Sequence, residues 1–220
     1  IQQVVEEALA SLTGGVVPTI AGAGRTDAGV HAIGQTASVR VDFDLAPIAV
    51  QRALNQRLPE DIRVMQVDEM PPAFHAQFDA TGKHYRYRMV TRQVLPPLDR
   101  FTTWHTPWPL DVAAMRTGAA LLAGTHDFAS FQAGGTAITD PVRTIERIEL
   151  SDLGGELRLD VEGDGFLRHM VRIIAGTLVE VGMGQRSPEL IPEIISARRR
   201  EAAGKTAPPQ GLTLVAVRYA

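Results

Sequence analysis

The stretch TIAGAGRTDAGVHAIGQTASVRV, residues 19–41, decides how this sequence folds. It opens like a dinucleotide-binding loop, in which a strand and the pattern G-x-G-x-x-G lead into a helix. The first two glycines fit that pattern, but Asp27 stands where the third is required. Polar and apolar residues then alternate from 36 to 41, which indicates a half-buried strand instead of a helix. The stretch therefore predicts a strand, a tight glycine loop and a second strand, with the side chain of Arg25 or Asp27 held at a fixed angle.

The composition indicates an ordinary globular chain. Its 220 residues, 45% of them hydrophobic, suffice for one large domain or for two small ones that share a sheet. No apolar run approaches the roughly 18 residues that a membrane helix needs. The absence of cysteine excludes disulfides and thiolate metal sites. We therefore expect a cytoplasmic protein without a membrane segment.

Positive charge is concentrated in two places. The net charge of −3 argues mildly against a nucleic-acid partner, but local charge matters more than the sum. Residues 83–100 hold five Lys or Arg side chains against one acidic side chain, and three consecutive arginines occupy 198–200. Such stretches are typical of a nucleic-acid footprint and equally of a solvated charged surface. Charge alone leaves both interpretations open.

Hydrophobic periodicity divides the chain into alternating helices and strands. Helices are predicted near residues 1–12, 47–57, 110–122, 167–181 and 188–198. Strands are predicted near residues 17–21, 35–41, 62–67, 83–90, 144–150, 157–161 and 212–217. Without its short helix, the second half has the order β-α-β-β-α-β, and the first half has the same order without its first strand.

This order predicts an α+β fold with two ferredoxin-like halves side by side and a mainly antiparallel sheet. The first half, residues 1–80, carries the Asp27 loop, and the second half, residues 81–220, carries the remaining candidates. The first strand of such a half normally lies inside the sheet, so its loss would expose two neighbours. We therefore expect the sequence as given to be incomplete at its start.

Four segments resemble the transfer-RNA pseudouridine synthase A family, in family order, and the resemblance extends over nearly the whole chain. They are GRTDAGVHA at 24–32, FHAQFDATGKHYRYRM at 74–89, GDGFLRHMVRIIAGTLVEVG at 163–182 and APPQGLTLVAVRY at 207–219. The resemblance implies an enzyme that isomerises uridine to pseudouridine in the anticodon stem-loop of tRNA, at nucleotides 38 to 40. It also implies a homodimer whose two subunits clasp the tRNA.

By this resemblance, Asp27 is the catalytic residue. The reaction breaks the bond from N1 to C1′, turns the uracil and rebuilds the bond at C5, and neither electrons nor groups are gained. We therefore expect no cofactor. The carboxylate either attacks covalently or assists proton abstraction at the ribose, and the sequence leaves both routes open. Without the resemblance, an aspartate in a glycine loop is more simply a turn former that binds its own backbone.

Arg172 and Arg25 are the candidate cations beside this carboxylate. The resemblance implies that Arg172 is the partner of Asp27, and that Arg25 flanks the pair or binds an RNA phosphate. Periodicity adds that Arg168 and Arg172 share one face of the predicted helix, away from its apolar seam. Taken alone, that spacing favours two solvent-exposed arginines.

Aromatic residues are expected to receive the base once it has left its stack. The resemblance implies that Tyr85 stacks on the uracil, whereas Tyr87, on the same side of the strand, is best explained as core. Phe166 either walls the pocket or packs against the start of its helix. Candidate RNA contacts are Lys83, His84, Arg86, Arg88 and Arg168. The six histidines show no metal-ligand spacing, so no metal is expected.

Two other functions fit part of the pattern. An RNA-binding module without catalysis would also carry arginine and aromatic residues on a sheet, but it would not need the Asp27 carboxylate among phosphates. A nucleotide-dependent enzyme with GAGRTD as its phosphate loop would require the third glycine, a following helix and a G-K-[ST] signature. The sequence disfavours both.

Overall fold

A computed structural model describes residues 1–42, 45–134 and 140–220 of the chain. The architecture is mixed α+β, which confirms the predicted class. The helices are α1 (Gln2–Ala10), α2 (Pro47–Asn55), α3 (Val112–Ala120), α4 (Met170–Gly182) and α5 (Ile191–Ala197). The strands are β1 (Ala21–Gly22), β2 (His31–Ala32), β3 (Ala37–Ser38), β4 (Ala80–Val90), β5 (Trp104–His105), β6 (Gly124–Asp127), β7 (Val142–Asp152), β8 (Glu156–Gly163) and β9 (Leu212–Tyr219). Within these described ranges, no helix has the length and apolar character needed to cross a membrane.

The chain forms two compact units. The first comprises Ile1–Arg25, Thr36–Ala80 and Ala220, and the second comprises Thr26–Gln35 and Thr81–Tyr219. The segment that contains Asp27 therefore belongs to the second unit, with nearly all of the C-terminal half. The division at residue 80 into two ferredoxin-like halves stays a prediction.

The second unit is built on an open, mostly antiparallel sheet with the strand order β2-β9-β4-β8-β7-β6, and β5 lies beside β4. Strand β8 pairs antiparallel with β4 on one side and with β7 on the other, and β6 pairs antiparallel with β7. Strands β2 and β5 are parallel to their partners β9 and β4. Successive side chains of β4 point to opposite faces. Tyr85 and Tyr87 are consequently buried in the core, whereas Arg86 between them is only partly covered.

Helix α4 forms part of the core because its sequence is apolar almost all round. Its buried side chains include Ile173, Ile174 and Leu178. Gly176 lets a later segment of backbone approach the helix, since a Cβ at this position would lie 1.8 Å from the carbonyl oxygen of Lys205. The segment around residue 205 is thereby held directly against α4, two residues before it reaches the candidate site.

The N-terminus of α4 differs from the prediction. The helix begins at Met170 and not near 167, because His169 has φ +60° and ψ +6°, in the left-handed region, which interrupts the helical path. The expectation that Arg168 and Arg172 share a helical face is therefore wrong, since Arg168 lies outside the helix. The other predicted helices and strands of residues 81–220 are confirmed to within a few residues. The short strands β5 and β6 are additions that the sequence pattern does not predict.

The first unit has its own small core between α1 and α2, to which Leu9 and Leu54 contribute. The strands predicted near 17–21 and 35–41 are shorter than expected, and β1 pairs antiparallel with β3. The strand predicted near 62–67 is wrong for the described residues. Its backbone is bound by a side chain instead, because Asn55 both accepts from the N–H of Val64 and donates to its carbonyl oxygen, each at 2.8 Å.

Candidate active site

The loop that carries Asp27 is held by its own backbone and by a C-terminal segment. The N–H of Val30 donates to the carbonyl oxygen of Asp27 at 3.0 Å, which closes a tight turn. Gly29 has φ +83°, and a Cβ there would lie 3.1 Å from Cγ of Pro209. Both backbone conformation and space therefore favour glycine. The turn presents the Asp27 carboxylate with 32% of its side chain exposed.

Arg172 forms an ion pair with that carboxylate. Its Nη1 donates to Oδ2 of Asp27 at 2.8 Å, and its side chain is only 12% exposed. Its Nε donates to the carbonyl oxygen of Ala207 at 2.8 Å, while the N–H of Ala207 donates to the carbonyl oxygen of Arg172 at 3.1 Å. The guanidinium is thus fixed at two points, and a charge-assisted pair of this kind is strong and directional.

His169 contacts the other oxygen of the same carboxylate. Its Nε2 lies 3.2 Å from Oδ1 of Asp27, and the residue occupies the N-cap of α4. Burial lowers the pKa of His169, and the charges of Arg172 and Arg168 lower it further, although the charge of Asp27 opposes them. A neutral imidazole is therefore favoured at neutral pH.

Tyr85 lies close enough to feel the charge of Asp27. Burial, and then that negative charge, raise the pKa of the phenol to about 12, so Tyr85 keeps its proton at neutral pH. The ring meets Phe166 edge to face, with ring centroids 5.3 Å apart. Phe166 itself is half-buried against the core. Tyr85 and Phe166 therefore form an aromatic pair, of which Tyr85 lies near the carboxylate.

Tyr87 is a structural residue, as expected. The ring is fully buried, and its hydroxyl donates to the carbonyl oxygen of Pro208 at 2.7 Å. Gly211 packs on that ring, since a Cβ there would lie 2.7 Å from Cζ of Tyr87. The segment APPQG, residues 207–211, therefore touches Tyr87, Arg172 and the Asp27 loop, and it links three of the sequence motifs at one point.

Three predicted RNA contacts on β4 are paired with carboxylates. His84 Nε2 and Arg86 Nε lie 2.6 and 2.9 Å from the same oxygen, Oδ1 of Asp160. Arg88 makes a bidentate pair with Glu156, with Nε to Oε1 at 2.9 Å and Nη2 to Oε2 at 3.1 Å. Most of the positive charge that the sequence places on this strand is therefore compensated locally. Their contact with RNA stays a prediction.

The remaining predicted contacts lie in other surroundings. Burial lowers the pKa of Lys83, and the charge of Arg143 lowers it further. Arg168 is exposed, and its Nη1 donates to the carbonyl oxygen of Gly134 at 3.0 Å. Arg25 is exposed and belongs to the first compact unit. Within the part of the chain that the structure describes, no three His, Cys, Asp or Glu side chains gather in a manner that would hold a metal ion.

The cluster within the second unit thus consists of Asp27 between His169 and Arg172, with Tyr85 near the carboxylate and Phe166 against Tyr85. Sequence reasoning pointed to four of these five residues and set His169 aside because it showed no metal-ligand spacing. No spacing rule signals its contact with Asp27, because His169 lies just before α4 with a left-handed backbone and does not follow helical geometry.

Comparison with known protein sequences places the chain in a family. A sequence profile described as tRNA pseudouridine synthase matches residues 1–79 and 119–220. The chain is 46% identical to tRNA pseudouridine synthase A of Geobacter sp. strain M21 over 100% of its own length and 89% of that protein. It is 47% identical to the enzyme of the same name from Geobacter sulfurreducens over 100% of its length and 89% of the relative. For Halalkalibacterium halodurans the identity is 45%, over 96% of the chain and 81% of the relative. The chain belongs to the tRNA pseudouridine synthase family.

Proposed function

We propose that this protein isomerises uridine to pseudouridine in tRNA, with Asp27 as the catalytic carboxylate. The observation that carries the proposal is the environment of that carboxylate, which is partly exposed, paired with a largely covered arginine and close enough to Tyr85 to raise the pKa of its phenol. The names of the relatives support the same reaction on tRNA. A pure RNA-binding module would have no use for an accessible anion where phosphates approach.

The balance of the reaction explains why a carboxylate suffices. The N1–C1′ bond breaks and a C5–C1′ bond forms, while C5 loses a proton and N1 gains one. No electrons are exchanged and no group is transferred to or from another molecule. Asp27 supplies either the nucleophile or the base that assists at the ribose, and both roles need an oxygen atom held in a fixed place.

Arg172 and the aromatic side chains supply the rest of the proposed site. The guanidinium compensates the charge of Asp27 and fixes Oδ2, since the carbonyl oxygen of Ala207 holds its other edge. Tyr85 stacks on the uracil after the nucleotide has turned out of its helix, and Phe166 walls the pocket. The phenol of Tyr85 keeps its proton at neutral pH, so it is a hydrogen-bond donor for the uracil.

The finer points extend this proposal by resemblance to the family. The substrate uridines lie in the anticodon stem-loop, and two copies of the chain clasp one tRNA. The exposed arginines Arg25 and Arg168 contact phosphates, while the carboxylate-paired cations of β4 contribute less. The second half of the chain is ferredoxin-like, which its strand order β9-β4-β8-β7 supports. The same arrangement of the first half rests on the resemblance alone.

The test is the substitution Asp27→Asn. Asparagine is nearly isosteric and keeps much of the loop geometry, but an amide is neither a useful nucleophile nor a base. Incubation with transcribed tRNA, followed by chemical labelling of pseudouridine, should show product for the wild type and none for the variant. Filter binding should show that the variant still binds tRNA, with equal or higher affinity because an anion has been removed.

A matched variant, Asp27→Glu, keeps the charge but displaces it by one methylene. A displacement of about 1 Å can cost roughly 100-fold in rate, so this variant should also be severely impaired. Turnover by Asp27→Asn near the wild-type rate, in a preparation free of host enzyme, would reduce the loop to a structural turn.

A further inference from the structure

His169 adopts a backbone conformation that residues other than glycine rarely take. Its φ is +60°, and among the non-glycine residues in the described ranges only Arg198, with φ +49°, also has a positive φ. Left-handed backbone is strained for a residue with a Cβ, and it persists where the surroundings determine it. At His169 the result is an imidazole placed against Asp27, with Nε2 at 3.2 Å from Oδ1. Such strain at a candidate site calls for a functional explanation.

The two oxygens of Asp27 are contacted from two sides. Arg172 holds Oδ2 at 2.8 Å, and this arginine is itself fixed by Ala207. A single contact would leave the carboxylate free to turn about its terminal torsion, which is broad for aspartate. A second contact at Oδ1 removes that freedom and defines the plane of the carboxylate.

We propose that His169 is a positioning residue, which holds the Asp27 carboxylate in the orientation that the isomerisation requires. The inference rests on the proposed function of Asp27. His169 Nε2–H donates to Oδ1 while the imidazole stays neutral, so that the carboxylate is oriented without a second positive charge beside Arg172. The charged groups around the imidazole are Asp27, Arg172 and Arg168, and the net effect of these charges and burial favours the neutral form.

Two substitutions separate this role from a role in folding. His169→Gly fits the left-handed backbone and removes only the imidazole. We expect the single-turnover rate at saturating tRNA to fall by roughly 10-fold to 100-fold, because rotation of the carboxylate moves its oxygen atoms away from the reacting atoms. The dissociation constant for tRNA should stay within about twofold, since Asp27 keeps its charge and Arg172 its place. Free imidazole in the buffer should restore part of the rate.

His169→Gln is the conservative variant. Its amide N–H reaches about as far as Nε2 and is neutral at every pH, so the rate should recover most of the loss seen with glycine. Arg198→Gly is the matched control, because it relieves the other left-handed residue, whose side chain pairs with Asp127 at an exposed position. This control should turn over like the wild type.

Two outcomes would overturn the inference: full activity of His169→Gly, or a loss that neither glutamine nor imidazole restores. These outcomes are distinct from failure of the proposed function. If wild-type protein forms no pseudouridine, or if Asp27→Asn remains active, the proposed function fails first. If the wild type is active and Asp27→Asn is inactive, the His169 variants decide the positioning role by themselves.

Discussion

Two arginine–carboxylate pairs in the second unit have nearly the same length and the opposite burial. In the first, Arg172 lies 2.8 Å from Asp27, and 12% of the arginine but 32% of the aspartate side chain is exposed. In the second, Arg86 lies 2.9 Å from Asp160, and 34% of the arginine but only 12% of the aspartate is exposed. One pair therefore presents its anion to solvent, and the other presents its cation.

Under the proposed function, this inversion distinguishes the carboxylate that reacts, Asp27, from Asp160, which only stabilises. A largely covered guanidinium fixed by a backbone carbonyl acts as a permanent counter-charge, and the anion beside it stays reachable by a substrate. Asp160 is instead enclosed by Arg86 and His84, which share one of its oxygens. The presence of an arginine–carboxylate pair does not by itself indicate a catalytic carboxylate. The exposed fraction of the carboxylate is the more informative quantity.

The comparison predicts its largest effect for the two arginines. Arg172→Gln removes the fixed cation beside the proposed catalytic carboxylate, and the single-turnover rate should fall by at least about 100-fold. Arg86→Gln removes the same group beside an enclosed carboxylate, and the rate should change by less than about threefold, because Asp160 has no role in the proposed reaction. Pseudouridine labelling in a quenched time course measures both. Thermal unfolding of each variant checks that the fold survives, and similar rate losses for the two would refute the distinction.

The two tyrosines on the buried face of β4 extend the comparison. Tyr85→Leu removes the proposed stacking surface, which is worth about 1 to 3 kcal/mol per base, so kcat/KM should fall by about 5-fold to 150-fold. Tyr85→Phe keeps the stacking surface and loses only the hydroxyl. Any loss of kcat/KM in this variant therefore measures the contribution of the hydroxyl proton. Tyr87→Phe is the control, since it loses a hydrogen bond to Pro208 worth about 1 kcal/mol of stability. Normal turnover by Tyr85→Leu would make Tyr85 a core residue.

The sequence predicts the second unit well because its elements are long and strongly patterned. The alternation in β4 and the apolar run of α4 each override local ambiguity. The first unit is predicted less well, because its strands are two residues long and the segment near Val64 is bound by Asn55 instead of by a neighbouring strand. Side-chain bonds of that kind leave no periodic signal.

The candidate site is also predicted only in part, since the motifs identify some residues while their contacts depend on the folded structure. Asp27 and Arg172 lie 145 positions apart, and only resemblance to a family brings them together before the structure does. The contact of His169 escapes prediction because it depends on one left-handed backbone angle, which no pattern of residue types requires. The ion pairs that Arg86 and Arg88 form with carboxylates escape prediction for another reason. Their partners come from a different strand, so a count of charges along β4 overstates its free charge.

An enclosed carboxylate should contribute stability that depends on pH. The hydrogen bond from Arg88, aided by Arg158 and opposed by burial, lowers the pKa of Glu156 from its ordinary value of 4.5 to about 2. A lowered carboxyl pKa contributes stability above the unfolded pKa and loses it as pH falls through the folded one. Glu156→Gln should therefore lower the unfolding free energy by about 1 to 3 kcal/mol at pH 7. The difference from wild type should shrink as pH falls from 4.5 toward 2.

Urea unfolding at several pH values measures this contribution. Asp27→Asn is the matched comparison, because its carboxylate is more accessible and should contribute less to stability. A gap between wild type and Glu156→Gln that stays constant down to pH 3 would show that the glutamate stabilises the fold through packing and not through its charge.

The smallest effect concerns the affinity for tRNA, and it compares two arginines that the sequence proposes equally as RNA contacts. Arg168 is exposed and donates to a backbone carbonyl, so its positive charge remains available to a phosphate. The charge of Arg86 is already compensated by Asp160. Each phosphate that a protein neutralises adds about 0.9 to the slope of log affinity against log salt. Arg168→Gln should therefore reduce that slope by roughly one in a filter-binding titration, whereas Arg86→Gln should leave it unchanged within error. Equal reductions would mean that Arg86 leaves Asp160 when RNA binds, so that the burial of its partner would no longer identify which cation is free to act.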